Sequence, residues 1–307
     1  MLLSTSTNIC AFQPGRERLP AEFCIDVCAA AGYRVLDINL CMAMNPDSAL
    51  RGPRWREYVE HIGQYASSRG VRFTQSHLPY YDVFSDSVTE QDREMWEELI
   101  RRCIVASGML GVRWAVTHPG TVYGAENNEH VQLERNLAYY ARHTETANRE
   151  GVGIALENDF GPQGGYAYCA SVRELRTLVD AFGDPEHIGA CYDFGHANLA
   201  GGNHRANLNL LGSRLKAVHV QDNHGERDEH LMPFYGSIDW KQAMAGLADI
   251  GYTGELTYEI QEFGRFLPAD MKHLAVEQSL AIGTRLIEYY ETALKNGASE
   301  NTEEGKT

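Results

Sequence analysis

Eight short apolar runs divide this chain, each followed by a longer, mostly polar segment. The runs are LLSTS (2–6), RVLDINL (34–40), VRFTQSH (71–77), RWAVTH (113–118), VGIALEN (152–158), IGACYD (188–193), LKAVHV (215–220) and ELTYEI (255–260). They are rich in Val, Ile, Leu, Thr and Tyr, and most do not alternate strictly. That pattern suits parallel strands buried on both faces. Helical spacing follows over 21–32, 88–111, 129–151, 172–183, 238–251 and 270–294, and most of these segments end on a glycine placed to cap a helix. Repeated strand-then-helix units predict an α/β fold: a (β/α)8 barrel, in one domain over residues 1–295. A doubly wound open sheet is the rival. It usually has fewer strands and a Gly-rich phosphate loop after the first, and no such loop is found here. The polar end NGASENTEEGKT (296–307) reads as a flexible tail.

In a barrel enzyme the chemistry gathers where the strands end. The predicted strands place His77, His118, Glu157, Asp193 with His196, His219 and Glu259 at one rim. Any one of these, taken alone, is more often a hydrogen-bonded structural residue or a helix cap than a ligand. Their convergence changes the balance. Glu157, Asp193 and Glu259 crowded in a partly dry site repel one another, at a cost on the order of several kcal/mol without a cation. A divalent metal resolves this. Three carboxylates and the His219 imidazole suit Mn²⁺, Mg²⁺ or Co²⁺, with Zn²⁺ also allowed.

The stretch HVQDNHGERDEHLMPFYGSIDW (219–240) adds His224 and His230 to His219. Asp228 and His230 form a D-x-H pair able to reach over the barrel mouth. Such a pair either binds a second metal with His196 or hydrogen-bonds a substrate; the bland alternative is a salt bridge that pins the loop. His224 reads as solvated loop. GSIDW reads as a turn and cap for the next helix, with Trp240 packing. Arg227 is a candidate contact for a substrate anion or hydroxyl.

Taken as a set, SHLPY, THPG, ALEN, YDFGHAN, HVQDN, DEHLMPFYGSIDW and TYEI resemble the xylose isomerase-like barrel superfamily. More narrowly, they look like the sugar phosphate isomerase/epimerase group, which shares its fold with the endonuclease IV type of DNA-repair enzyme. The resemblance runs from about residue 3 to 292. It implies metal ligands at Glu157, Asp193, His219 and Glu259, with His196 touching the substrate. In the endonuclease branch a three-metal cluster also uses the positions of His77, His118, His196, Asp228 and His230. The expected chemistry is isomerisation or epimerisation of a sugar, sugar phosphate or related ketone through an enediolate, with Glu157 and Glu259 as acid and base. His77, His118, His196, Arg227, Asp228 and His230 are the expected substrate contacts. The same parts support a lyase or dehydratase of an inosose or keto acid. A non-enzymatic sugar-binding barrel would not need both acids.

Composition narrows the partners. Lys and Arg number 27 against 42 Asp and Glu, a formal net charge of −15. Duplex DNA and anionic membranes are bound through basic faces, so neither is an expected partner. A small carbohydrate is. Phe160, Tyr80, Tyr81, Phe84 and Phe234 are candidates to wall its pocket. The seven cysteines (10, 24, 28, 41, 103, 169 and 191) include no CxxC pair. Cys24 and Cys28 fit core packing, and the odd count suits a reducing compartment, so a cytoplasmic location is expected. MLLSTSTNIC lacks the pattern of a signal peptide, and no run is long enough to span a membrane. Homo-oligomerisation is compatible with such a barrel, but the sequence marks no interface.

Overall fold

The computed structural model describes residues 1–14, 18–126, 128–161 and 165–304, with the side chains from 298 onward excepted. Eight parallel strands close into a barrel in sequence order: β1 (Leu3–Ser6), β2 (Val35–Asn39), β3 (Arg72–His77), β4 (Trp114–Thr117), β5 (Gly153–Glu157), β6 (Ile188–Asp193), β7 (Leu215–Val220) and β8 (Leu256–Tyr258). Each lies within the run that predicted it. Closure comes from β1 against β8, with Leu3, Ser4 and Thr5 paired to Leu256, Thr257 and Tyr258.

The surrounding helices are α1 (Ala21–Ala31), α2 (Trp55–Ser68), α3 (Glu90–Met109), α4 (Glu129–Glu150), α5 (Val172–Phe182), α6 (Phe194–Leu199), α7 (His204–Leu211), α8 (Trp240–Asp249) and α9 (Lys272–Glu304). Three of them, α2, α6 and α7, were not anticipated. Trp55, Val59, Ile62 and Ala66 of α2 are buried at helical spacing, but the stripe is narrow and the rest of that helix is polar. The other two are short. Helical backbone in α9 continues past residue 295, into the segment expected to be a tail. No helix among the described residues is long and apolar enough to cross a membrane.

Alternation along each strand points every second residue into the barrel. On β4 to β7 the interior is filled by Trp114, Val116, Ala155, Cys191 and Ala217, a cluster separate from the main core. On β8 and β1 to β3 the corresponding positions are Thr257, Ser4, Asp37 and Gln75, all buried. One half of the barrel interior is therefore apolar and the other polar. His77, Asp193 and Glu259 each lie two residues beyond an interior position of their own strand, so the same alternation turns them inward above this plug.

Candidate functional site

Four strand ends supply the expected cluster. Glu157 closes β5, Asp193 closes β6, His219 lies near the end of β7, and Glu259 follows β8. Ladder pairing sets Asp193 beside His219, and His219 beside Thr257. One oxygen, one imidazole nitrogen or the like from each of these four residues falls within 4.8 Å of all the others. His219 Nδ1 stands 2.6 Å from Glu157 Oε1 and 3.3 Å from Glu259 Oε2. Glu157 and Asp193 are wholly buried, yet Asp193 Oδ2 has no hydrogen-bond partner and Glu157 Oε2 has only the His77 and His118 nitrogens, at 3.3 and 3.4 Å. Leaving a buried carboxylate oxygen unmatched is costly. A divalent cation would satisfy both, so the donor set fits the metal that the sequence implies.

Charge in this cluster is strongly coupled. Burial opposes ionisation of Glu157, but His219, His118 and His77 hold it well below the usual carboxylate range. Burial, with the charges of Glu157 and Glu259, pushes Asp193 up to about 7. Burial disfavours the His219 imidazolium, and its neighbours Cys191, Glu157 and Glu259 more than reverse that, raising it well above the ordinary histidine value.

A second tier stands around the first. His77 Nδ1 lies 2.9 Å from the Leu78 carbonyl, and its Nε2 is 3.3 Å from Glu157 Oε2. His118 Nε2 reaches the same oxygen at 3.4 Å, and His118 Nδ1 is buried without a hydrogen-bond partner. Burial keeps His118 below its ordinary value, unlike the other site histidines. His196 Nδ1 is 2.9 Å from the Asn158 carbonyl, and its Nε2 is 3.8 Å from Asp228. Asp228 also bonds His230 Nε2 at 2.7 Å, and His196, Asp228 and His230 form a second group with metal-ligand proximity. The D-x-H pair thus reaches the barrel mouth.

Arg227 does not join them. It is 79% exposed and lies 3.6 Å from Glu229, outside the cavity lining. His224 is exposed, as expected, with Nδ1 2.8 Å from Glu229. Of the expected aromatic wall, Tyr80, Tyr81 and Phe160 line the cavity. Phe84 packs on Tyr139, and Phe234 meets Tyr289 of α9.

Three supporting residues escaped the sequence reasoning. Asn158 ties β5 to β6, its side chain accepting from Asp193 N at 2.8 Å and donating to Asp193 O at 3.0 Å. Gln221 donates to Asp193 and Asp228, at 3.3 and 2.7 Å, and so links the two tiers. Asp222 is fully buried and accepts from the backbone N–H groups of Asn223, Phe234 and Ile238 and from the Trp240 indole. Its backbone pairs with Leu231 in both directions. One carboxylate therefore fastens the loop that carries Asp228 and His230. The only available signal was adjacency: Asn158 follows Glu157, and Gln221 and Asp222 follow His219 within HVQDN. Asp239 caps α8, its carboxylate accepting from Lys241 N and Gln242 N.

The model of the xylose isomerase-like TIM barrel family matches residues 25–281. The chain belongs to that family. It is 32% identical over 281 residues to an uncharacterised protein of Sinorhizobium fredii, a match covering 91% of this chain and 82% of that one. An uncharacterised protein of Methanocaldococcus jannaschii is 30% identical over 186 residues, covering 60% of this chain and 62% of that protein. A probable endonuclease 4 of Methanoculleus marisnigri is 29% identical over 189 residues, covering 54% of this chain and 63% of the enzyme. Among solved structures, a D-tagatose 3-epimerase-like protein superposes with a TM-score of 0.73 at 22% identity, over 95% of this chain and 99% of that one.

Proposed function

We propose that the protein is a divalent-metal-dependent isomerase or epimerase of a sugar or related polyhydroxy ketone. The observation that carries this reading is the meeting of three carboxylates and one imidazole, with the buried Asp193 Oδ2 unpartnered, beside an open cavity of about 460 Å3. That volume suits a small ligand. Similarity to a D-tagatose 3-epimerase-like protein lends support.

Glu157, Asp193, His219 and Glu259 would hold the metal, which when bound polarises a substrate carbonyl and acidifies the neighbouring C–H. The chain's own residues then move the proton. One of Glu157 and Glu259 takes it, and the C–H electron pair enters the carbon–carbon bond of an enediolate. The other returns a proton to that carbon, giving epimerisation, or to its neighbour, giving isomerisation. His196, buried and anchored on the Asn158 carbonyl, presents Nε2 for a substrate hydroxyl. Asp228 and His230 hold further hydroxyls at the mouth.

The test is solvent deuterium incorporation into a panel of ketoses with Mn²⁺ present, beside elemental analysis of the purified protein. Wild type should label at least one ketose, and Glu157→Gln and Glu259→Gln should not. Labelling at the wild-type rate in both variants would remove the two acids from the mechanism.

A second reading draws on the His196, Asp228 and His230 group and on the similarity to a probable endonuclease 4. It makes this a multi-metal phosphodiesterase. Incision of an abasic-site duplex at low salt would favour it over the isomerase.

A further inference from the structure

The cavity continues outward from the ligand cluster, between the loops that follow β2 to β5. Its outer wall includes Tyr80, Tyr81, Asp82, Tyr123, Asp159 and Phe160. Among the described residues, no Lys or Arg lines the cavity at any depth. The two outer charges are both carboxylates, and neither is neutralised by a nearby cation in the way Asp228 is by its histidines. Asp159 accepts from Phe160 N at 2.8 Å, and its Oδ1 lies 3.9 Å from the partnerless His118 Nδ1. Asp82 and Asp159 flank Tyr123, whose phenol is raised by burial and then by their negative charge. Inward, the same cavity is lined by Glu259 of the ligand cluster, in which the wholly buried Asp193 has Oδ2 without a hydrogen-bond partner. A ligand held at one end by that cluster would lie with its other end against a wall that carries Asp82 and Asp159.

A terminal phosphate would bring roughly two negative charges beside Asp82 and Asp159, with no Lys or Arg among the described lining residues to offset them. A hydroxyl or an ammonium would instead donate hydrogen bonds to the same oxygens, and bonds to a charged acceptor are among the stronger kind. We propose that Asp82 and Asp159 form an acceptor subsite for the far end of the substrate. It takes a donor-bearing end, hydroxyl or amine, and rejects a phosphorylated one. This rests on reading the cavity as a sugar site and narrows the substrate to unphosphorylated sugars.

The experiment is calorimetric binding to Mn²⁺-loaded protein, so that it does not depend on turnover. The probes are fructose, fructose 6-phosphate and 6-amino-6-deoxyfructose, against wild type, Asp82→Asn and Asp82→Asn/Asp159→Asn. Fructose or the amino sugar should bind wild type at least tenfold more tightly than the phosphate. The double variant should shrink that ratio to within about threefold, and the single variant should fall between, as expected for screened surface charges. Either order of fructose and amino sugar supports the subsite and identifies the preferred donor. Equal or tighter binding of the phosphate to wild type overturns it. So does an unchanged ratio in the double variant, or no binding of any probe. Binding as predicted without deuterium exchange in any bound sugar would leave the subsite standing and remove the isomerase reading.

Discussion

The two ligand groups at the barrel mouth are built by different means. Glu157, Asp193, His219 and Glu259 stand on or just beyond the ends of four neighbouring strands, and the ladder between those strands fixes their spacing. Their side chains are between 0 and 12% exposed. His196, Asp228 and His230 are between 4 and 20% exposed, and two of them ride on the long loop between β7 and α8. That loop owes its path to Asp222 and to an unusual backbone. His230 has φ 45° and Phe234 φ 74°, in the left-handed region that costs a non-glycine residue about 1 kcal/mol or more. Positions set by a sheet need only light support, here from Asn158 and Gln221, whereas positions set by a loop need dedicated fasteners. The inner group is therefore suited to hold a metal in fixed geometry, and the outer group to adapt to what the metal holds.

The sharpest way to break this comparison is to remove an inner ligand. Asp193→Ala should lower bound metal and reduce proton exchange by more than about 100-fold. Loss of a mere supporting partner of a metal ligand costs 10–100-fold, so a ligand itself should cost more. Metal content by elemental analysis and deuterium labelling check it. Unchanged metal content would move Asp193 out of the ligand set.

Removing the fastener comes next. Asp222→Ala leaves the N–H groups of Asn223, Phe234 and Ile238 and the Trp240 indole without their acceptor. Buried donors left unmatched cost about 1–3 kcal/mol each, and partial hydration of a loosened loop should hold the total near 2–4 kcal/mol. Denaturant unfolding measures that. The comparison adds a finer expectation: the inner group keeps its metal while KM rises, because only the outer group is displaced. Equal loss of metal and substrate affinity would show that the two tiers are one unit.

How much of this was legible in the sequence follows the same division. Strands buried on both faces print as apolar runs, so all eight were found, and strand ends inherit their positions from those runs. Glu157, Asp193, His219 and Glu259 could be placed together for that reason alone. The narrow apolar stripe of α2 and the brevity of α6 and α7 hid those helices. Nor could the sequence show that Asp222 turns inward to four donors while Arg227, five residues on, turns out. Loop side chains follow hydrogen bonds made far along the chain, and no periodicity records them. Asn158 and Gln221 were invisible for a related reason: each acts through a neighbour rather than as an acid, base or metal ligand.

Asp228→Ala/His230→Ala probes the outer group directly. About one metal per chain should remain, with kcat/KM down by roughly 10–100-fold, the size expected when contacts that orient a substrate are lost. Two or three zinc ions per wild-type chain, falling in the double variant, would instead make the outer group a second metal site. That outcome would erase the contrast between a fixed inner tier and an adaptable outer one, and would favour the phosphodiesterase reading.

The smallest expected effect is also the one that tests the loop most delicately. Arg227 is the only guanidinium in the stretch 219–240, and sequence alone made it a substrate contact. Here it projects into solvent beside the partly buried Glu229, a surface pair of the kind that contributes about 0–1 kcal/mol. Arg227→Ala should leave the thermal midpoint, the metal content and KM for a neutral ketose within about twofold or the equivalent. A KM raised more than about fivefold would mean that the segment holding Arg227 folds over the mouth when substrate arrives. The fasteners favour the null result. Asp222 holds the loop on both sides of Arg227, through Asn223 on one and Phe234 and Ile238 on the other, and Gln221 and His230 hold Asp228 next to it. A swing large enough to bring the guanidinium over the cavity would have to release Asp228 from those partners, dismantling the outer group at the moment the substrate needs it.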